Sequence, residues 1–218
     1  MSFKSPEISG ARQDIGGLKS PEIDGARQDC ACLKVCVDGA WEEVWGSMIE
    51  FTSANIGSVR YSYPASIIGE GKTITLTGQP NEDSYYTSLD FSISLYAEGS
   101  FGATPTIELD MEITTGSQTA YTNVYCKRRV EGISGFRGSK LLCEASNVGS
   151  NKTYSEHFEF TFDEYTNSSG VVCDSNRIAF MLSFENEYGF YSTPTTVKFS
   201  NIKINGQSYG YTGTVTAG

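Results

Sequence analysis

From about residue 73 onward the chain alternates apolar and polar residues in short runs, and this period of two constrains its fold more than any other feature. Successive side chains of a strand point to opposite faces, so alternation marks a strand with one buried and one wet face. The runs are TITLTG (Thr73–Gly78), LDFSISLYAEG (89–99), TIELDMEIT (Thr106–Thr114), HFEFTF (157–162), RIAFMLSF (177–184) and VKFSNIKING (197–206). Turn-rich clusters such as GQPNEDS, DEYTNSSG and ENEYGFYSTP separate them. The 23 Gly, 13 Tyr and 12 Phe fit strands and tight turns, and no helical heptad pattern of useful length competes. The predicted fold is therefore all-β. Residues 47–218 are expected to form an antiparallel two-sheet jelly-roll sandwich of roughly eight to ten strands, preceded over residues 1–46 by an extended N-terminal arm and a β-hairpin.

Charge narrows the function classes. The formal net charge is −10, and nucleic-acid binding rests on phosphate neutralisation by Lys and Arg, so no nucleic-acid partner is expected. The densest basic run, CKRRV (126–130), reads as a solvated edge strand. No apolar stretch of signal-peptide or membrane-span length is present, so synthesis in the cytoplasm of the producing cell and no membrane insertion are expected. Of the six cysteines, Cys30, Cys32 and Cys36 are closely spaced without the paired knuckles of a zinc site. Cys126, Cys143 and Cys173 are scattered through strands. Free thiols, no metal and no cofactor are the expectation.

The N-terminus carries one phrase twice. KSPEISGARQD (4–14) returns as KSPEIDGARQD (19–29), with ten of eleven positions identical. Each copy holds one apolar residue, Ile8 or Ile23, between a proline (Pro6, Pro21) and an arginine (Arg12, Arg27). Such a unit cannot bury a core of its own, so it needs a surface to lie on, and two copies give two equivalent footholds on an extended partner. Asp38-Gly39 then signals a two-residue hairpin. With Val37 opposite Ala40, Cys36 should face Trp41, Lys34 face Glu43, and Cys32 face Trp45, while Leu33 meets Val44. Because an isolated hairpin is marginal in water, Trp41 and Trp45 join the repeat residues as candidates for docking on a partner.

The phrases VCVDGAWEEVW and FKSPEISGARQ resemble the N-terminal modules of structural proteins from tailed bacteriophages and prophages of Gram-positive bacteria. The likeness covers about the first 46 residues. It implies a virion component of the tail, baseplate or fibre, with the arm as its attachment part and other virion subunits as its partners. In the body, Phe199, Asn201, Ile202 and Ile204 are similar to the last strand of jelly-roll carbohydrate-binding modules, where an aromatic is followed by Asn-Ile-x-Ile. Sugar binding does not follow from that fold alone.

Little in the chain points to catalysis. The single histidine, His157, shares a strand face with Ser155, Glu159 and Thr161, opposite Phe158, Phe160 and Phe162, and reads as a solvent-face residue. Glu108, Asp110 and Glu112 line the outer face of their strand, which alternation alone explains. Aromatics in turn-rich segments are better binding candidates, because sugar rings stack on them while Asn and Glu take the hydroxyls. Tyr85 and Tyr86 form one such group, and Glu185, Asn186, Tyr188, Phe190 and Tyr191 form the other. The reading is a non-enzymatic virion protein, a symmetric homo-oligomer as such components usually are, that docks through its arm and presents a sandwich to host-surface carbohydrate. A purely structural decoration or connector protein is the alternative. A polysaccharide-degrading enzyme is the third, and it would require two carboxylates flanking a cleft.

Overall fold

The structure, a computed structural model, describes residue 51 and residues 64–79, 91–116, 122–184 and 194–217. It also describes the strand backbone at 3–4, 14–15, 32–37, 40–46, 49–50 and 53–56. Backbone contacts divide the chain into two units, Met1–Ser47 and Met48–Gly218.

In the first unit, β1 (Phe3–Lys4) pairs antiparallel with β2 (Asp14–Ile15). The hairpin strands are β3 (Cys32–Val37) and β4 (Ala40–Gly46). Val37 lies opposite Ala40, Cys36 opposite Trp41 and Lys34 opposite Glu43, as the turn predicts. The register then shifts, so that Leu33 pairs with Trp45 and Cys32 with Gly46. The expected Cys32–Trp45 and Leu33–Val44 pairs do not form, because β4 carries one extra residue there and a bulge moves every later partner by one. Of the other docking candidates, Pro6, Ile8, Arg12, Pro21, Ile23 and Arg27 lie outside the described residues.

The second unit runs β5 (Ile49–Glu50), β6 (Ser53–Ile56), β7 (Ala65–Glu70), β8 (Thr73–Gly78), β9 (Phe91–Glu98), β10 (Thr106–Thr114), β11 (Thr122–Val130) and β12 (Gly138–Glu144). A single helical turn, α1 (Ala145–Val148), leads into β13 (Thr153–Thr161), β14 (Ser175–Phe184), β15 (Thr195–Ile204), β16 (Gln207–Gly210) and β17 (Gly213–Ala217). Among the described residues, sheet I has the order β13-β10-β15-β8-β7-β17, with β16 pairing β15 and β5. Sheet II has the order β12-β11-β14-β9-β6. The strands from β8 to β15 pair as a folded ribbon, β8 with β15, β9 with β14, β10 with β13 and β11 with β12, every pair antiparallel. The ribbon wraps so that these pairs alternate between the two sheets, which is the strand order of a jelly roll.

Alternation fills the space between the sheets. Ile74, Leu76, Ile107, Leu109, Ile113 and Val197 point inward from sheet I, and Ile93, Leu95, Val124, Ile178 and Leu182 from sheet II, all fully buried. Phe199 and Phe180 meet across the middle with ring centroids 5.6 Å apart, and Phe51 closes edge-on against Phe180. At the end of β15 an Asn205-Gly206 turn takes left-handed φ at both positions, 51° and 76°, as two-residue hairpins favour. The Asn205 side chain accepts from Thr106 N and donates to Phe101 O, fastening this turn to the β9–β10 connection.

The basic run 126–130 is not an edge. It belongs to β11, which lies between β12 and β14, and Arg128 points inward with 2% exposure. Its Nη1 donates to Ala103 O at 2.9 Å and its guanidinium sits over the Phe162 ring. Gly138 opposite makes the room, since a Cβ there would stand 2.9 Å from Arg128 Nε. Two thiols also fall in the core: burial pushes Cys126 up, and pushes Cys143 up to about 11 with Glu156 and Glu144 contributing. Both stay protonated and unreactive near neutral pH.

Because Phe199 is fully buried between the sheets, Phe199→Ala should destabilise the chain by about 3–5 kcal/mol. Urea unfolding followed by circular dichroism checks this, and an unchanged midpoint would contradict the central packing.

Candidate functional site

Among the described residues, a connected polar constellation lies on the outer face of sheet I, where β10 runs between β13 and β15. The odd-numbered side chains of β13 point outward and the aromatic even-numbered ones inward, so His157 faces solvent as its strand phase predicts. Register brings it beside Asp110 of β10. On the other side, β15 does not keep its phase. Val197 and Phe199 are buried, and so are Ile202 and Ile204. One residue too many separates these pairs for strict alternation. Pairing is regular at Asp110–Ser200 and again at Glu108–Lys203, with a bulge between. Asn201 occupies it with φ of 53°, a conformation asparagine tolerates better than most residues.

The bulge aims the Asn201 carboxamide at β10. Asn201 Nδ2 donates to Asp110 Oδ2 at 2.7 Å, and His157 Nδ1 lies 2.7 Å from Asp110 Oδ1. One carboxylate is thus held from both sides. The Asn201 hydrogen bond, followed by that of His157, holds the Asp110 carboxyl below its ordinary value of 3.8. The hydrogen bond to Asp110 raises His157 above its ordinary 6.5, with the charges of Asp110, Glu108 and Glu159 adding to it. Next along the face, Lys203 Nζ donates to Glu108 Oε1 at 2.8 Å. These side chains are between a third and three-fifths exposed, so the pairs add little stability and serve to set geometry.

Beside this group is a shallow depression of about 360 Å³, lined by Asp110, Glu112, Ser155, His157, Lys198 and Ser200 among others. Threonines pair across the strands at the two ends of the β10–β13 ladder, Thr106 with Thr161 and Thr114 with Thr153. Among the described residues, the outer faces of β13, β10, β15 and β8 carry no Phe, Tyr or Trp. The arrangement offers interleaved donors and acceptors on an open surface, suited to a neutral polyhydroxylated ligand. Also among the described residues, no three His, Cys, Asp or Glu side chains form a metal-holding group.

The tyrosine-bearing segments expected to bind sugar, with Tyr85, Tyr86, Glu185, Asn186, Tyr188, Phe190 and Tyr191, lie outside the described residues. Their flanking strands are side by side: Gly78 pairs with Thr195, and Phe91 with Phe184. Sequence reasoning found the acidic stripe and the outward histidine but not their connection, nor the parts played by Lys198, Ser200 and Lys203. The signal was present in the phase slip between Phe199 and Ile202, which marks Asn201 as the extra residue.

No family model and no curated protein matches the chain. Among solved structures it is similar to CBM27-1 of Caldicellulosiruptor saccharolyticus, solved in complex with mannohexaose, at 13% identity and a TM-score of 0.34. That likeness covers 76% of this chain and 89% of the other. It is also similar to chains of infectious bursal disease virus, the Gt strain at 7% identity and TM-score 0.34 and the Gx strain at 8% and 0.35. Each covers 98% of this chain but only 46% and 53% of the viral ones, so the chain spans about half their length. At these TM-scores the comparisons carry no functional argument, and the jelly-roll assignment rests on the strand order. No helix among the described residues is long and apolar enough to cross a membrane.

The Asp110–His157 pair has a defined pH window. The histidine's contribution is complete below 6.5 and is lost as pH rises through its raised value. The aspartate's is complete above 3.8 and is lost as pH falls through its lowered value. The pair is strongest between these limits. An NMR titration of the single histidine should give a pKa above 6.5 that moves back toward 6.5 in Asp110→Asn; a value at or below 6.5 in the parent would contradict the contact.

Proposed function

We propose that the chain is a non-enzymatic binding protein of a bacteriophage or prophage virion, and that the outer face of sheet I contacts host-surface carbohydrate. The observation that carries the ligand reading is the carboxylate of Asp110 fixed between Asn201 and His157 at the rim of an open polar depression. Sugar hydroxyls both donate and accept, and a surface alternating carboxylates, amide, hydroxyls and ammonium groups meets them in several orientations. The tyrosine-bearing segments, with Tyr85, Tyr86, Tyr188 and Tyr191, would add stacking surfaces. A glycosidase reading is weaker on the chemistry. Glu108, Asp110 and Glu112 stand side by side on one strand rather than on facing walls, and Asp110 is held below the ordinary carboxylate range, opposite to what a general acid needs.

The virion setting rests on the N-terminal phrases, with the doubled repeat and hairpin as the attachment part and other virion subunits as partners. The labelled full chain should bind cells of a susceptible strain, and periodate treatment of the cells should abolish binding. Asn201→Gly keeps the left-handed backbone but deletes the carboxamide, and should weaken binding about tenfold while leaving the fold intact. Periodate-resistant binding, or full binding by Asn201→Gly, would contradict the proposed ligand face.

A further inference from the structure

Among the described residues, strand β13 ends sheet I, pairing with β10 alone, and no described strand pairs with its other backbone edge along the nine residues from Thr153 to Thr161. Its inward side chains are poorly covered for a sandwich interior. Phe158 and Phe160 are only partly buried and Tyr154 is 37% exposed. An open edge of this length is a template for another strand unless charge guards it, and the charges on β13 are Glu156, His157 and Glu159.

We propose that β13 pairs antiparallel with β13 of a second copy, about a two-fold axis at Phe158, joining two sheets I into one. A two-fold axis perpendicular to the sheet keeps inner and outer faces together, so opposed residues must have the same parity, and few registers are open. Centring on Glu156, His157 or Glu159 sets that residue against its own copy, like charge on like charge for both glutamates and histidine on histidine. Centring on Phe160 pairs no opposite charges on the strand. Centring on Phe158 places His157 opposite the partner's Glu159 and Glu159 opposite the partner's His157, two complementary pairs on the outer face. Ser155 then meets the partner's Thr161. On the inner face the two Phe158 rings meet, and Tyr154 approaches the partner's Phe162. Phe160, which already has the Lys140 ammonium over its ring, meets the partner's Glu156, bringing that carboxylate toward a cation. Centring on Tyr154 or Ser155 likewise opposes no unlike charges on the strand, so among registers centred on a β13 residue only Phe158 sets complementary charges against each other. Directly opposed pairs of this kind stabilise antiparallel sheets, and like charges destabilise them.

The dimer also sets two copies of the Asp110 face side by side across the axis, and its own test does not depend on what that face binds. Sedimentation equilibrium of the full chain should show a dimer, and Glu159→Lys, which opposes a cation to the partner's His157, should raise the dissociation constant at least tenfold with unchanged circular dichroism. An equimolar mixture of Ser155→Cys and Thr161→Cys chains should give a covalent dimer with a short thiol crosslinker, in excess of either variant alone and of the parent. A chain monomeric at 100 μM-order concentration, a dimer indifferent to Glu159→Lys, or no excess crosslink in the mixture would each overturn the proposal.

Discussion

One packing constraint organises both the core and the surface site. Strand β15 lies inside sheet I between β10 and β8, and it must bury Val197, Phe199, Ile202 and Ile204 on one face. A period of two cannot do this without an extra residue. Turning Ile202 and Ile204 outward would forfeit about 1.5–3 kcal/mol each, whereas a left-handed residue costs about 1–2 kcal/mol. The bulge therefore forms, and asparagine at that point keeps its cost low. Its side chain then reaches Asp110. The outer face of sheet I owes its geometry to the apolar spacing of β15.

Where alternation is unbroken, the sequence was legible to the residue. Thr73–Gly78 and Thr106–Thr114 are strands with the expected boundaries, and the acidic stripe of β10 points outward. Strand β13 begins four residues before the aromatic run that marked it, because its first half is polar on both faces and presents no alternation. Arg128 was misjudged since a charged residue defaults to solvent, and only the pairing of β11 with two neighbours, with Gly138 leaving space, shows why it can be buried. The hairpin register was right next to the turn and wrong beyond the bulge in β4. Local signals carry as far as the ladder is regular.

The candidate site was legible only in pieces. Asp110, His157 and Asn201 are 47 and 91 residues apart along the chain, and no local pattern says that three strands will set them side by side. The jelly roll does so by pairing late strands with early ones, β13 with β10 and β15 with β8. Among the described residues the same topology leaves β13 at the rim of sheet I, so the site and an edge that no described strand pairs share one strand. Each outward position of β13 thus has a neighbour on β10 and, among the described residues, none on its other side.

The most direct test of the ligand face is NMR mapping of the full chain titrated with oligosaccharides released from the host cell surface. The His157 ring and Asn201 side-chain amide signals should shift together with the amides of Ser155, Asp110 and Ser200, at one common affinity. Saturable binding that leaves these signals unmoved, or perturbs only sheet II, would contradict this ligand face.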